Sequence, residues 1–105
     1  MVDRSFSSAV EEALGVIERS LDNIRTGKGV ESELHTVRAC LLEVLDLVER
    51  DPGIEAASDD LYSVARNVAC GPDRGLRMCR LLSEAFLRFR ARLDTARPSG
   101  SGTDT

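Results

Sequence analysis

Apolar residues in this chain recur at alternating spacings of four and three through four separate segments. The two clearest stripes are Val10, Leu14, Ile17, Leu21 and Ile24, and then Val30, Leu34, Val37, Leu41, Val44 and Val48. This spacing puts the apolar side chains on one face of an α-helix, which another helix must cover. No segment shows the period-two alternation that is typical of strands. The pattern therefore predicts an all-α protein.

Clusters of glycine, proline and aspartate divide the chain into four predicted helices. We expect them over about residues 5–25 (or 8–25), 30–50, 54–69 and 74–96. The first break, Thr26-Gly27-Lys28-Gly29, contains two glycines that permit the left-handed conformation of a helix C-cap. At the helix starts, Ser8 with Glu11 suggests a capping box, and Asp51 and Asp73 are candidate N-caps.

Short connections between consecutive helices favour antiparallel neighbours. We therefore predict an up-down four-helix bundle that forms one domain over residues 1–97, followed by a disordered tail over residues 98–105. Because Ser58-Asp59-Asp60 interrupts the third segment, the alternative is a three-helix core with a loose third segment.

The composition narrows the class of protein. Aromatic residues make up only 4% of the 105 residues, so the core must be aliphatic and a base-stacking surface for nucleic acid is disfavoured. No stretch has the length and apolarity of a membrane span. The odd number of cysteines and the charged N-terminus, which has no apolar signal region, favour a reducing, cytoplasmic location.

The three cysteines are Cys40, Cys70 and Cys79. They lack the close pairing that is typical of zinc ligands, so no metal or other cofactor is expected. Cys40 and Cys79 fall on or near apolar helix faces, where cysteine acts as a small hydrophobic residue. Cys70 precedes a Gly-Pro turn and is expected to be the most reactive. No set of catalytic residues stands out, which predicts a protein that is not an enzyme.

His35 is the single histidine, and Thr36, Val37, Arg38 and Ala39 follow it. This run resembles the phosphoacceptor motif of histidine-containing phosphotransfer (Hpt) domains, although Ala39 stands where that family has glycine. The resemblance implies a four-helix bundle in which an exposed His35 accepts a phosphoryl group and Arg38 neutralises it. The alternative, which leads here because short motifs match by chance, is an ordinary histidine at the rim of the apolar face.

Charge is distributed unevenly along the chain. Residues 1–72 carry fourteen acidic and seven basic residues, giving −7, whereas residues 73–105 carry four acidic and seven basic residues, giving +3. Three arginines share the polar face of the fourth predicted helix: Arg77, Arg80 and Arg88. We expect a solvated face that pairs with acids such as Glu11, Glu18, Glu43 and Glu49. The alternative is an anion or nucleic-acid site, which the net charge of −4 disfavours.

The second and fourth helices carry more leucine than one buried face can use. Leu42 and Leu47 flank the stripe of the second helix, and Leu81 and Leu87 lie off the stripe of the fourth. Surplus apolar surface of this kind predicts a partner, most simply a second copy of the chain. Alternatively, Leu81 and Leu87 pack on the N-terminal segment around Phe6. The leading hypothesis is a non-enzymatic helical interaction module, an adaptor, chaperone-like or regulatory protein that forms a homodimer.

Overall fold

A computed structural model describes the backbone of residues 2–71 and 75–97, and the side chains of residues 8–71 and 75–97. It contains four helices, α1 (Val2–Thr26), α2 (Val30–Leu47), α3 (Pro52–Cys70) and α4 (Leu76–Asp94). The predicted all-α bundle of four antiparallel helices is confirmed. The predicted tail at 98–105 lies outside the described residues.

The connection between α1 and α2 is a Schellman motif centred on Gly27, whose φ is +78°. The Gly27 N–H donates to the carbonyl oxygen of Ile24 at 3.1 Å, and the Lys28 N–H donates to that of Asn23 at 2.9 Å. These two bonds satisfy carbonyl groups that the last turn of a helix leaves without partners. The predicted glycine C-cap is therefore confirmed.

Asp51 starts α3 as the sequence predicts. Its Oδ1 accepts a hydrogen bond from the Gly53 N–H at 2.7 Å, and Pro52 occupies the first helical position, where a missing N–H costs nothing. The helix then runs without a break through Ser58-Asp59-Asp60. Because Leu61, Ala65 and Val68 are fully buried, the alternative of a loose third segment is wrong.

Three other predicted boundaries are wrong. Helix α1 continues through Ser8 to Val2, so Ser8 and Glu11 do not form a capping box. Helix α2 ends at Leu47 because Val48 is extended and the following Glu49 N–H donates to the carbonyl oxygen of Arg97 at 2.7 Å. Helix α4 begins at Leu76 after Gly75, and the candidate cap Asp73 lies outside the described residues.

The four helices form a rhombus in cross-section. Helix α1 contacts α2, α3 and α4, and α3 contacts α1, α2 and α4, whereas the described residues of α2 and α4 do not contact each other. Helices α1 and α3 therefore lie across the short diagonal, and α2 and α4 occupy the far corners. Dimensions of 52 × 22 × 16 Å agree with this flattened section. As predicted, the core is largely aliphatic, with Phe86 and Phe89 as its buried aromatic side chains.

Candidate functional site

Among the side chains that the structure describes, the large apolar ones that remain exposed all belong to the corner helices. Leu42 on α2 is 54% exposed, and Leu76, Leu81 and Leu87 on α4 are 78%, 41% and 60% exposed. A helix at a corner has two neighbours, which leaves much of its circumference in solvent. Leu47, which was predicted to join this set, is partly buried and packs against the core.

The structure does not bring the four predicted interface leucines together. Leu42 lies on α2, which makes no contact with the described part of α4. Leu81 and Leu87 are separated by six residues, which places them about 120° apart around the axis of α4. Leu81 and Leu87 are exposed to solvent. The side chain of Phe6, which was the alternative cover for these two leucines, lies outside the described part of the chain. Of these leucines, Leu42 therefore marks the candidate site for a protein partner.

Leu42 borders a depression between α2 and α3, which we call the α2–α3 groove. Its narrow part is lined by Arg38, Leu41, Leu42, Leu45, Ser58, Asp59 and Tyr62. Towards the C-terminal end of α2 it widens between Leu42, Leu45, Asp46, Arg50, Glu55 and Asp59. The groove therefore combines an apolar floor with charged edges, which is the composition of a protein-binding surface.

Opposite charges occupy the two ends of the groove. At one end the guanidinium carbon of Arg38 lies 5.4 Å from the centroid of the Tyr62 ring. At the other end Arg50 pairs with Glu55 at 3.2 Å, while Asp46 and Asp59 form no ion pair with any described residue. Arg38 is therefore the arginine of one end, acidic residues are in excess at the Asp46 end, and Asp59 borders both parts.

His35 lies on the solvent face of α2, one turn before Arg38, and is exposed. Residues three apart on a helix share a face, so these two side chains are neighbours. Because α3 runs antiparallel to α2, Arg66, one turn after Tyr62, lies at about the level of His35. None of these three basic residues pairs with a carboxylate in the part of the chain that the structure describes. The sequence does not mark Arg66 as a functional residue. Its one sequence link to His35 and Arg38 is its spacing of four residues from Tyr62, which places it on the same face of α3.

No protein-family model, curated protein or solved structure matches this chain. Its function must therefore be inferred from the chemistry of its own residues.

The arginines of α4 divide into paired and unpaired groups. Arg88 lies 3.1 Å from Asp60 of α3, and Arg90 lies 3.7 Å from Glu11 of α1. Glu11 thus pairs with an arginine of α4 outside the predicted set, and within the described ranges Glu18, Glu43 and Glu49 pair with no arginine of α4. Arg77 and Arg80 are exposed and form no ion pair with a described residue. The anion-binding alternative for Arg77, Arg80 and Arg88 stays a prediction.

The cysteines differ in exposure. Cys70 is exposed, whereas Cys40 and Cys79 are partly buried, and the greater reactivity of Cys70 stays a prediction. Burial raises the pKa of the Cys40 thiol, and the negative charge of Glu43 raises it further. Among the described residues, no three His, Cys, Asp or Glu side chains are placed to hold a metal ion. None of the described helices has both the length and the apolarity needed to cross a bilayer.

Proposed function

We propose that this chain is a non-enzymatic protein-interaction module that associates with a second copy of itself through the solvent face of α2. The observation that carries the proposal is the 54% exposure of Leu42 at the edge of the α2–α3 groove. An adaptor or regulatory role in the cytoplasm, where its three free thiols stay reduced, fits such a module.

A single exposed leucine is ordinary, but Leu42 is not isolated. Leu45 and the ring of Tyr62, both partly buried, line the same narrow part of the groove. Covering this strip would remove further apolar surface from water, which contributes about 25 cal/mol per Å². The free energy available from the strip therefore favours a protein partner.

A second copy is favoured as the partner because the face around Leu42 carries charges of both signs. Arg38 and Asp46 are exposed on either side of Leu42, so the same surface can satisfy its own charges in a symmetric pair. The outer face of α4 is a poorer choice, because its leucines diverge around the axis and Arg77 and Arg80 would repel their own copies.

The mass in solution tests this proposal. Light scattering across a dilution series that includes micromolar concentrations should give about twice the monomer mass of 11.5 kDa at the upper end. Leu42→Asp should shift the chain to monomer, because a carboxylate at the centre of the contact would lose its water. Leu87→Asp is the matched control on α4 and should leave the dimer intact. A wild-type chain that stays monomeric at every concentration would contradict the proposal.

A second candidate is phosphotransfer at His35, and the exposure of that side chain favours it. The imidazole would accept a phosphoryl group from a phosphorylated receiver domain, and Arg38 and Arg66 would balance the charge of the phosphoryl oxygens. Incubation with a phosphorylated receiver domain should label the wild-type chain and not His35→Gln. Arg66→Gln should slow labelling without changing the helix content. No label on the wild-type chain would refute this candidate and leave the first untouched.

A further inference from the structure

Charged residues on the solvent face of α2 are arranged symmetrically around Leu42. Arg38 lies four residues before Leu42, and Asp46 lies four residues after it. All three side chains are exposed, and a spacing of four keeps them on one face of the helix. The charged neighbours one turn on either side of the central Leu42 are therefore an arginine and an aspartate.

A two-fold axis through Leu42 turns this pattern into a self-complementary surface. When this axis is perpendicular to the two α2 helices, the helices run antiparallel. A residue at a given distance before Leu42 in one copy then lies opposite the residue at the same distance after Leu42 in the other copy. Asp46 of the partner subunit then lies opposite Arg38, and Arg38 of the partner subunit lies opposite Asp46.

We propose that two copies pair α2 against α2 in antiparallel orientation, with the two-fold axis at Leu42 and each Arg38 bound to Asp46 of the partner subunit. This inference rests on the self-association proposed above and specifies its geometry. It uses two side chains that form no ion pair with the described residues of their own chain.

The surroundings of the two charges support the same register. Arg38 is already held over the Tyr62 ring, which limits the freedom that it would lose on binding a carboxylate. Asp59 borders both parts of the groove, and on the side of Asp46 it adds negative potential where the partner's Arg38 would arrive. A parallel, in-register pair is disfavoured, because it would set Arg38 against Arg38 of the partner subunit.

The contact is small, because only one helix of each copy and the edge of its groove take part. Interfaces below about 1,200 Å² typically belong to weak or transient complexes. We therefore expect a dissociation constant of about micromolar size that rises with salt, since both ion pairs lie at the rim of the contact.

Charge reversal tests the register. Arg38→Asp and Asp46→Arg, each alone, should raise the dimer dissociation constant at least about tenfold, because each sets like charges opposite each other twice. The double variant Arg38→Asp/Asp46→Arg should return it to within about threefold of wild type. Sedimentation velocity over a concentration series measures all of them, and circular dichroism confirms that each chain stays helical.

The chain offers a matched control on α4. Arg80 and Glu84 are exposed and also four residues apart, so Arg80→Asp and Glu84→Arg make the same charge changes away from the contact. Both should leave the dissociation constant unchanged. A wild-type dimer that is insensitive to Arg38→Asp, or a double variant as weak as the single ones, would overturn the register while self-association stands. A monomeric wild-type chain would overturn both.

Discussion

The Arg38 guanidinium lies 5.4 Å from the centroid of the Tyr62 ring, which joins α2 to α3 beside the exposed Leu42. At this separation a cation is attracted to the negative face of an aromatic ring. The contact holds Arg38 at the basic end of the α2–α3 groove. It therefore connects the packing of the bundle with the surface that we propose for self-association.

Removing this contact should destabilise the monomer slightly. In a double-mutant cycle of Arg38→Met and Tyr62→Leu, we expect a coupling of about 0.5–1 kcal/mol, because the pair is partly exposed to solvent. Urea unfolding at a concentration where the chain is monomeric measures it. Tyr62→Phe keeps the aromatic face and serves as the control, so Arg38→Met should cost as much beside Phe as beside Tyr.

Truncating Leu61, which is fully buried, should show how much the buried face of α3 contributes to the free energy of unfolding. We expect Leu61→Ala to lower the free energy of unfolding by about 2–5 kcal/mol, through lost apolar burial and the cavity that remains. Leu76→Ala removes the same atoms from a side chain that is 78% exposed and should stay within about 0.5 kcal/mol of wild type. Similar costs for the two substitutions would mean that α3 contributes little to the core.

Alanine substitutions at Gly27 and Gly15 should change the free energy of unfolding in opposite directions. Gly27 has a φ of +78°, where a Cβ is disfavoured, so Gly27→Ala should destabilise the chain by about 1–2 kcal/mol. Gly15 lies inside α1, and a Cβ added there meets no atom within 4 Å, so Gly15→Ala should stabilise it by about 0.5–1 kcal/mol. Thermal unfolding of the two variants at one protein concentration tests the sign of each.

The N-cap of α3 should be worth about 1 kcal/mol. Asp51→Ala removes the acceptor of the 2.7 Å bond from the Gly53 N–H and leaves that donor dependent on water. Asp51→Asn retains an acceptor oxygen and should stay close to wild type. Chemical unfolding distinguishes them, and an Asn variant as unstable as the Ala variant would show that charge, rather than capping, stabilises this end.

Cys70 and Cys40 should react with an alkylating reagent at different rates. Cys70 is exposed. Burial and the charge of Glu43 raise the pKa of Cys40, so at a given pH a smaller fraction of the Cys40 thiol is ionised than of an ordinary thiol. Iodoacetamide at pH 8, followed by peptide mass mapping, should modify Cys70 first. The Cys40 rate should keep rising with pH beyond the range of an ordinary thiol.

Glu43→Gln should speed the reaction of Cys40 with iodoacetamide, because it removes a charge that disfavours the thiolate. Glu12 lines the same depression as Cys40, and Glu12→Gln is the matched control. Equal acceleration by both substitutions would indicate a general loosening around Cys40 rather than an electrostatic effect of Glu43.

The sequence by itself determined the four helices, the aliphatic core and two of the helix caps. These features depend on spacings of three and four residues and on local backbone preferences, such as the left-handed conformation at Gly27 and the acceptor of Asp51. All of that information lies within a few positions along the chain. The resemblance at His35 likewise identified a side chain that is exposed, though not what it does.

Only the tertiary structure decided which apolar surfaces are covered. Periodicity shows that α2 has surplus leucine, but the order in which helices pack leaves Leu42 exposed and places Leu47 against the core. Just after the end of α2, the Glu49 N–H donates to the carbonyl oxygen of Arg97, which is far away in sequence. The groove, like the approach of Arg38 to Tyr62, arises from contacts between different helices. No local pattern encodes such contacts, because they follow from the packing of the whole bundle.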